Sequence, residues 1–335
     1  MNKSQPTHFE SVHLLRGIAA MLVLMAHSFR SFYFWDMPWF EESALDFGQI
    51  GVSVFFVISG FVLPLSLQNK YRFADFPRFF LRRFVRIEPT YLASMVVAIV
   101  WVWTATRLAP NASPWKFDFG QIAAHLMYLV PFTDYKWVNE VYWTLAIEFQ
   151  FYLFIGICFS FFRFSAQRHL YLAAVLILFF SSGTLFNTFI PSLRLVEFAP
   201  FFGIGMLAWL TCCYHVKVGV SSIFLGVLVA VGFFGELSFA NLVFGAMAFF
   251  LILHWKPKKT RWRFLGTISY SLYVIHPPFV ALEHVVGLRL VGTGFKAFLF
   301  LLPLATMAVC ILAAWILYKF VEEPTMRFSK KIAYN

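Results

Sequence analysis

Ten apolar runs, each near the length of a helix that crosses a bilayer, constrain this chain more than any other feature. They cover roughly residues 11–33, 48–68, 90–107, 142–162, 170–189, 196–213, 218–234, 238–254, 265–286 and 295–321. A spanning helix needs about 17–25 such residues. A helix satisfies its own backbone hydrogen bonds, which lipid cannot do, so the pattern predicts an all-α integral membrane protein with about ten transmembrane helices. Composition agrees: 60% of the 335 residues are hydrophobic and 13% are charged, about half the charge of a soluble domain. A shorter run at 121–131 is too brief to span and reads as an interfacial or re-entrant piece.

The charges give the helices a direction. With the N-terminus inside, twenty of the 27 Lys and Arg residues fall at cytoplasmic ends and loops and seven on the opposite side, a strong positive-inside bias. An even number of spans then puts both N- and C-termini in the cytoplasm. The net charge of +11 therefore reflects topology, with anionic ligands at the inner face a second contributor, and no nucleic acid is expected as a partner. The first run is broken by Arg16 and His27 and lacks a small-residue cleavage pattern, so it reads as a span rather than a signal peptide. Cys158, Cys212, Cys213 and Cys310 lie within or at the inner ends of helices without metal-ligand spacing, which predicts neither disulfides nor a metal site. No Gly-, Ser- or Pro-rich linker divides the chain. Residues 8–328 read as one transmembrane domain and 329–335 as a short cytoplasmic tail.

Arg16 and His27 lie in LLRGIAAMLVLMAHSF. Eleven residues at 100° per step end close to a whole number of turns, so both side chains share one helical face about 16 Å apart along the axis. Ionisable side chains at that depth are costly in lipid and mark a polar cavity or substrate path; an interfacial anchor is the plainer reading of Arg16.

Five further segments stand out. In GVSVFFVISGF, residues 51–61, Gly51, Gly60, Ser53 and Ser59 allow close helix approach and hydrogen bonds between helices. In RFFLRRFVRIEPTYL, residues 78–92, Arg82, Arg83 and Arg86 form a cationic group just before a span, with Arg83 and Arg86 neighbours on one face. Such a group suits a polyphosphate ligand or lipid headgroups. In VYWTLAIEFQFYLF, residues 141–154, Glu148 lies about two turns into an apolar span from its outer mouth and needs a partner or a proton. In ISYSLYVIHPPF, residues 268–279, His276 precedes Pro277 and Pro278, where the helix should kink and free carbonyls. In VEEPTMRF, residues 321–328, Glu322 or Glu323 can pair with the inner arginines. The long outer segment 108–141, polar and aromatic, suits a carbohydrate, a lid or a plain connector.

In this order the segments resemble the membrane-bound acyltransferase 3 family over residues 8–328. Arg16 and His27 match its hallmark of an arginine followed after ten residues by a histidine, and Arg83 with Arg86 its paired-arginine motif. GVSVFFVISGF, WTLAIEFQFY, SYSLYVIHPPF and VEEP match its remaining blocks. One departure is visible: relatives often carry an acidic residue near Ser53, and Asp46, just outside the second helix, is a substitute.

The resemblance implies an acyltransferase that moves an acyl group, commonly acetyl, from cytoplasmic acyl-CoA to a hydroxyl of a surface polysaccharide, lipid-linked sugar or similar glycan. It further implies a multi-pass protein of the bacterial cytoplasmic membrane, without the extracytoplasmic hydrolase-like domain of larger members. On this reading Arg16, Arg82, Arg83 and Arg86 hold the coenzyme, and His27, Glu148 and Asp46 are the catalytic candidates. Trp143, Tyr152, His276 and Ser59 are candidate substrate contacts. Acetyl-CoA enters as co-substrate and no metal is needed; membrane lipids are partners, and a homo-oligomer is compatible with the sequence. The rival readings are a transporter or flippase of a lipid-linked or anionic substrate, with no chemistry, and a non-catalytic envelope scaffold.

Overall fold

A computed structural model describes residues 9–29, 38–67, 71–108, 118–159, 193–214, 216–234, 237–257, 262–292, 299 and 301–332. Among these the regular structure is helical: α1 (Phe9–Ser28), α2 (Pro38–Leu67), α3 (Phe76–Leu108), α4 (Phe119–Leu126), α5 (Tyr142–Cys158), α6 (Leu195–Tyr214), α7 (Val218–Phe234), α8 (Phe239–His254), α9 (Arg263–Thr267), α10 (Ser269–Gly292), α11 (Leu302–Leu317) and α12 (Glu323–Ser329). Among the described residues six helical stretches are long and apolar enough to cross a membrane: Glu10–Ser28, Phe47–Leu67, Phe73–Arg107, Leu195–Tyr214, Ser269–Val291 and Leu302–Ser329. The apolar helices α5, α7 and α8 are shorter, about 24–26 Å at 1.5 Å per residue against a ~30 Å hydrocarbon core. The expected run at 170–189 lies outside the described residues.

Two boundaries differ from the sequence reading. The arginine segment stands inside α3, which starts at Phe76 and runs through Pro89; that proline does not mark the helix start. Asp46 belongs to α2 rather than lying outside it, because that helix begins at Pro38; its side chain is outside the described residues. Pro277 and Pro278 lie inside α10, as the run 265–286 had them.

Hydrophobic transfer gives helices little reason to associate in lipid, so close packing has to do it. The sharpest case is the crossing of α2 and α6. A Cβ on Gly60 would overlap the backbone of Phe202, and one on Gly205 the backbone around Val57 and Gly60. The main apolar core gathers on these helices with α5 and α8, through Phe56, Phe61, Phe151, Phe201, Phe202 and Phe249. A smaller core joins α1 to α10 and α11 through Ala20, Leu24, Leu272, Ile275, Cys310 and Ala314. Helix α1 thus sits between α2 on one side and α9, α10 and α11 on the other.

Candidate functional site

Arg16 and His27 share a face of α1 but open into different chambers. Arg16 lines a narrow cavity of about 100 Å³ with Arg83, Arg86, Ser59, Glu148, Tyr152, Tyr270, Tyr273 and Glu322. His27 lines a wider one of about 540 Å³ with Trp101, Asn139, Glu140, Pro277, Pro278 and His284.

The first chamber is charged. It holds three guanidiniums, Arg16, Arg83 and Arg86, against two carboxylates, Glu148 and Glu322, as groups withdrawn from water require. The backbone crossing at Gly17 holds Arg16 in place: a Cβ there would press on Gly266 and Leu265 of α9. Arg83 donates to Ser66 Oγ at 2.5 Å, and its guanidinium lies 5.7 Å from the Phe79 ring centre and 5.9 Å from that of Tyr152. Glu148 Oε1 accepts from Ser59 Oγ at 3.0 Å and from Tyr152 Oη at 2.5 Å. Glu322 is buried and accepts from the Ser271 hydroxyl at 2.6 Å and its amide at 3.2 Å.

The wider turn Tyr318–Glu322, with π-type hydrogen bonding, separates two adjacent glutamates. Glu322 faces the arginines, whereas Glu323 meets Lys319 at 2.9 Å and Arg327 at 2.6 Å on the surface. Sequence reading offered either glutamate as a partner of the inner arginines without choosing between them, and it missed Tyr270 and Tyr273 as lining groups. Wide turns of this kind concentrate at functional sites, but nothing in VEEP announces one.

The histidine chamber is bordered by a locked loop. Asp118 caps α4 by accepting from the amides of Gly120 and Gln121 at 2.7 and 3.2 Å. His125 is buried; its Nδ1 donates to the Gln121 carbonyl at 2.8 Å and its Nε2 accepts the Val138 amide at 3.1 Å. Burial holds the His125 ring below the ordinary histidine value, with the Gln121 carbonyl pulling the other way. Val138 through Val141 then wall the chamber. Pro278 leaves the Val274 carbonyl without its helical donor, and Asn139 Nδ2 supplies one at 3.2 Å.

An aromatic and imidazole partition joins the chambers. The Tyr273 and His276 rings lie 6.2 Å apart and those of His276 and His27 5.0 Å apart. Tyr273 Oη and Thr144 Oγ1 share a 2.7 Å hydrogen bond, and both residues line the arginine chamber.

Other expected site residues go elsewhere. Glu148 sits about 9 Å along α5, where it lines the arginine chamber rather than that of His27. Arg82 and Trp143 line neither chamber; Trp143 packs on Phe198 at 5.3 Å with Arg194 over its ring at 4.8 Å. Ser53 is buried and donates to the Gln49 carbonyl at 3.0 Å. No cluster of His, Cys, Asp or Glu among the described residues has the arrangement of a metal site.

Ionisable groups buried among apolar helices mark this interior as the candidate site. Sequence comparison gives the kind: the chain belongs to the acyltransferase 3 family, whose model, described as an acyltransferase domain, matches residues 9–319. It is similar to acyltransferase MdmB of Streptomyces mycarofaciens, 28% identical across 93% of this chain and 90% of the relative. It is similar also to a chain of Acidianus two-tailed virus named "Putative acetyltransferase ORF330", 28% identical across 82% and 84%. A third relative, from Komagataeibacter xylinus, is named "Putative membrane-bound transacylase BcsY" and is 27% identical across 79% and 71%. No solved structure matches.

Proposed function

We propose that this protein transfers an acyl group, by default acetyl, from a coenzyme A thioester to a hydroxyl of a glycan or lipid-linked sugar. The observation that carries the reading is the placing of two unlike chambers along one face of α1, with the His276 ring set between Tyr273 of one and His27 of the other. The narrow, arginine-lined chamber suits the slender arm of an anionic donor. Guanidinium forks bind phosphate oxygens in pairs. The wider chamber has the size of a small-molecule site and suits a bulkier acceptor. The name of the viral relative favours acetyl.

His27 Nδ1 lies 2.8 Å from the Val23 carbonyl, which can only accept, so in the neutral ring the lone pair is on Nε2. That nitrogen takes the acceptor's hydroxyl proton as the oxygen attacks the thioester carbonyl. The C–S bond then breaks and the imidazolium returns its proton to the departing thiolate. Transfer through an acyl-histidine is the variant of the same scheme. The arginine chamber faces the cytoplasm of a bacterial inner membrane in this account, and about ten spans place both termini there. Ser59 and Tyr152 hold Glu148, whose carboxylate offsets the guanidiniums when no donor is bound.

Purified protein in detergent, given labelled acetyl-CoA, tests the reading. Release of the thiol, or transfer of label to envelope glycans, supports it. A protein that moves a lipid-linked sugar or anion across vesicles and leaves acetyl-CoA intact is a transporter, and the proposal then fails.

A further inference from the structure

The arginine chamber changes character along its length, and contacts between helices fix the order. On α2, Ser66 meets Arg83, Ser59 meets Glu148, and Phe55 meets Tyr273. Further on, a Cβ on Gly51 would press on Ala19 and Val23 of α1, and one on Gly48 would touch Ala26, beside His27. Going from Ser66 toward His27, the lining therefore passes from guanidinium through carboxylate to aromatic ring.

Beyond Glu148 the walls are Val52, Phe55, Phe56, Thr144, Leu145 and Tyr273. The two hydroxyl protons there are already spent. Thr144 Oγ1 donates to the Val141 carbonyl at 2.8 Å and accepts from Tyr273 Oη at 2.7 Å. What remains is an apolar cup at the end of the chamber nearest His27. Between Ile50 and Phe61 every α2 residue is buried except Phe55 and Ser59. These two share a helical face and both line the chamber. Phe55 packs against both apolar cores, with its ring edge-on to Tyr273 at 5.6 Å between centres. Phe56 is tied instead into the α2–α6 packing, stacked on Phe202 at 4.8 Å. Of the two, Phe55 is the wall that can be shortened without disturbing that crossing.

We propose that the apolar cup receives the acyl group of the thioester, and that Phe55 limits it to short chains such as acetyl. The inference rests on the acyl-transfer reading and deepens it by naming the donor class, a short-chain acyl thioester. Charge sets the direction in which the donor lies. Its phosphates belong with the arginines at one end, and its hydrocarbon tail belongs where apolar surface excludes water. The whole chamber holds about 100 Å³, so a long tail meets Phe55 and Tyr273 before it is accommodated.

The test compares the full-length parent with Phe55→Ala in nanodiscs, given acetyl-CoA or hexanoyl-CoA with envelope glycans present. Thiol release gives kcat/KM for each donor. The parent should prefer acetyl by about a hundredfold or more, since one misfitting methylene is worth roughly 10–200-fold. Phe55→Ala should raise the value for hexanoyl-CoA about tenfold and leave that for acetyl-CoA near the parent's. A merely structural role lowers both together and keeps their ratio; that result, or a parent that accepts the two donors alike, overturns the proposal. If the Ala variant does not fold, Phe55→Leu decides, with a change in the same direction.

A second readout needs no turnover: calorimetric binding of the inert thioethers S-ethyl-CoA and S-hexyl-CoA. The parent should bind the ethyl compound about tenfold or more tighter, and the gap should close in Phe55→Ala. Equal binding of the two tails by the parent, or no binding of either, overturns the proposal. Tail preference without turnover of any thioester would overturn the acyl-transfer reading and leave the cup standing.

Discussion

Arg82, Arg83 and Arg86 are chemically equal in the sequence, and α3 makes them unequal. Arg83 and Arg86 enter the charged chamber and Arg82 does not. Replacing Arg83 by Lys keeps a charge but loses the planar fork. We expect KM for acetyl-CoA to rise about tenfold with kcat little changed, the signature of lost ground-state binding. Arg82→Ala should leave both constants near those of the parent. Steady-state kinetics with the purified proteins checks the pair, and equal effects at both positions would contradict the assignment. The i, i+3 spacing made the Arg83–Arg86 pairing legible, as the eleven-residue interval did the common face of Arg16 and His27. The inward turn of Glu322 and the meeting of His27 with His276 were not legible. The first depends on the wide turn after α11, and the second on packing between α1 and α10, residues far apart in sequence.

Among the elements, the α2–α6 crossing carries the heaviest structural demand. Gly60→Val would drive side-chain carbon into the Phe202 backbone, which has no rotamer by which to yield. The cost should exceed the about 1–3 kcal/mol typical of core overpacking, seen as a lowered melting temperature or failure to recover folded protein from detergent. The same change at Gly219, whose Cβ would meet nothing within 4 Å, should be tolerated. GVSVFFVISGF showed that a close approach was coming but not which helix would make it. The 118–141 loop was still less legible, because its lock is a buried histidine that bonds its own backbone.

That lock has a sign. His125 is held neutral, below its unfolded value near 6.5, so the open loop binds the extra proton as pH falls. The lock is at full strength above about pH 6.5 and weakens below it. Hydrogen-exchange protection of the Val138 amide, taken relative to its intrinsic rate at each pH, should therefore fall on acidification. In His125→Phe the protection should be low at every pH, and a protection indifferent to pH in the parent would refute the lock.

The whole molecule brings together what the chain order keeps apart. Apolar run lengths made nine of the helical segments legible, and charge bias proposes their direction. The division of the interior into an arginine chamber and a histidine chamber appears only once α1, α2, α3, α5 and α10 are packed. Two chambers set apart by the Tyr273, His276 and His27 rings suit a group that is handed over rather than a solute that passes through. The most direct test is labelled acetyl transfer from acetyl-CoA to envelope glycans, measured with the parent and with His27→Ala at equal folded protein. The account predicts labelled glycan with the parent and at least a hundredfold less with the variant, about the contribution of a general base. Equal labelling by the two proteins would contradict it.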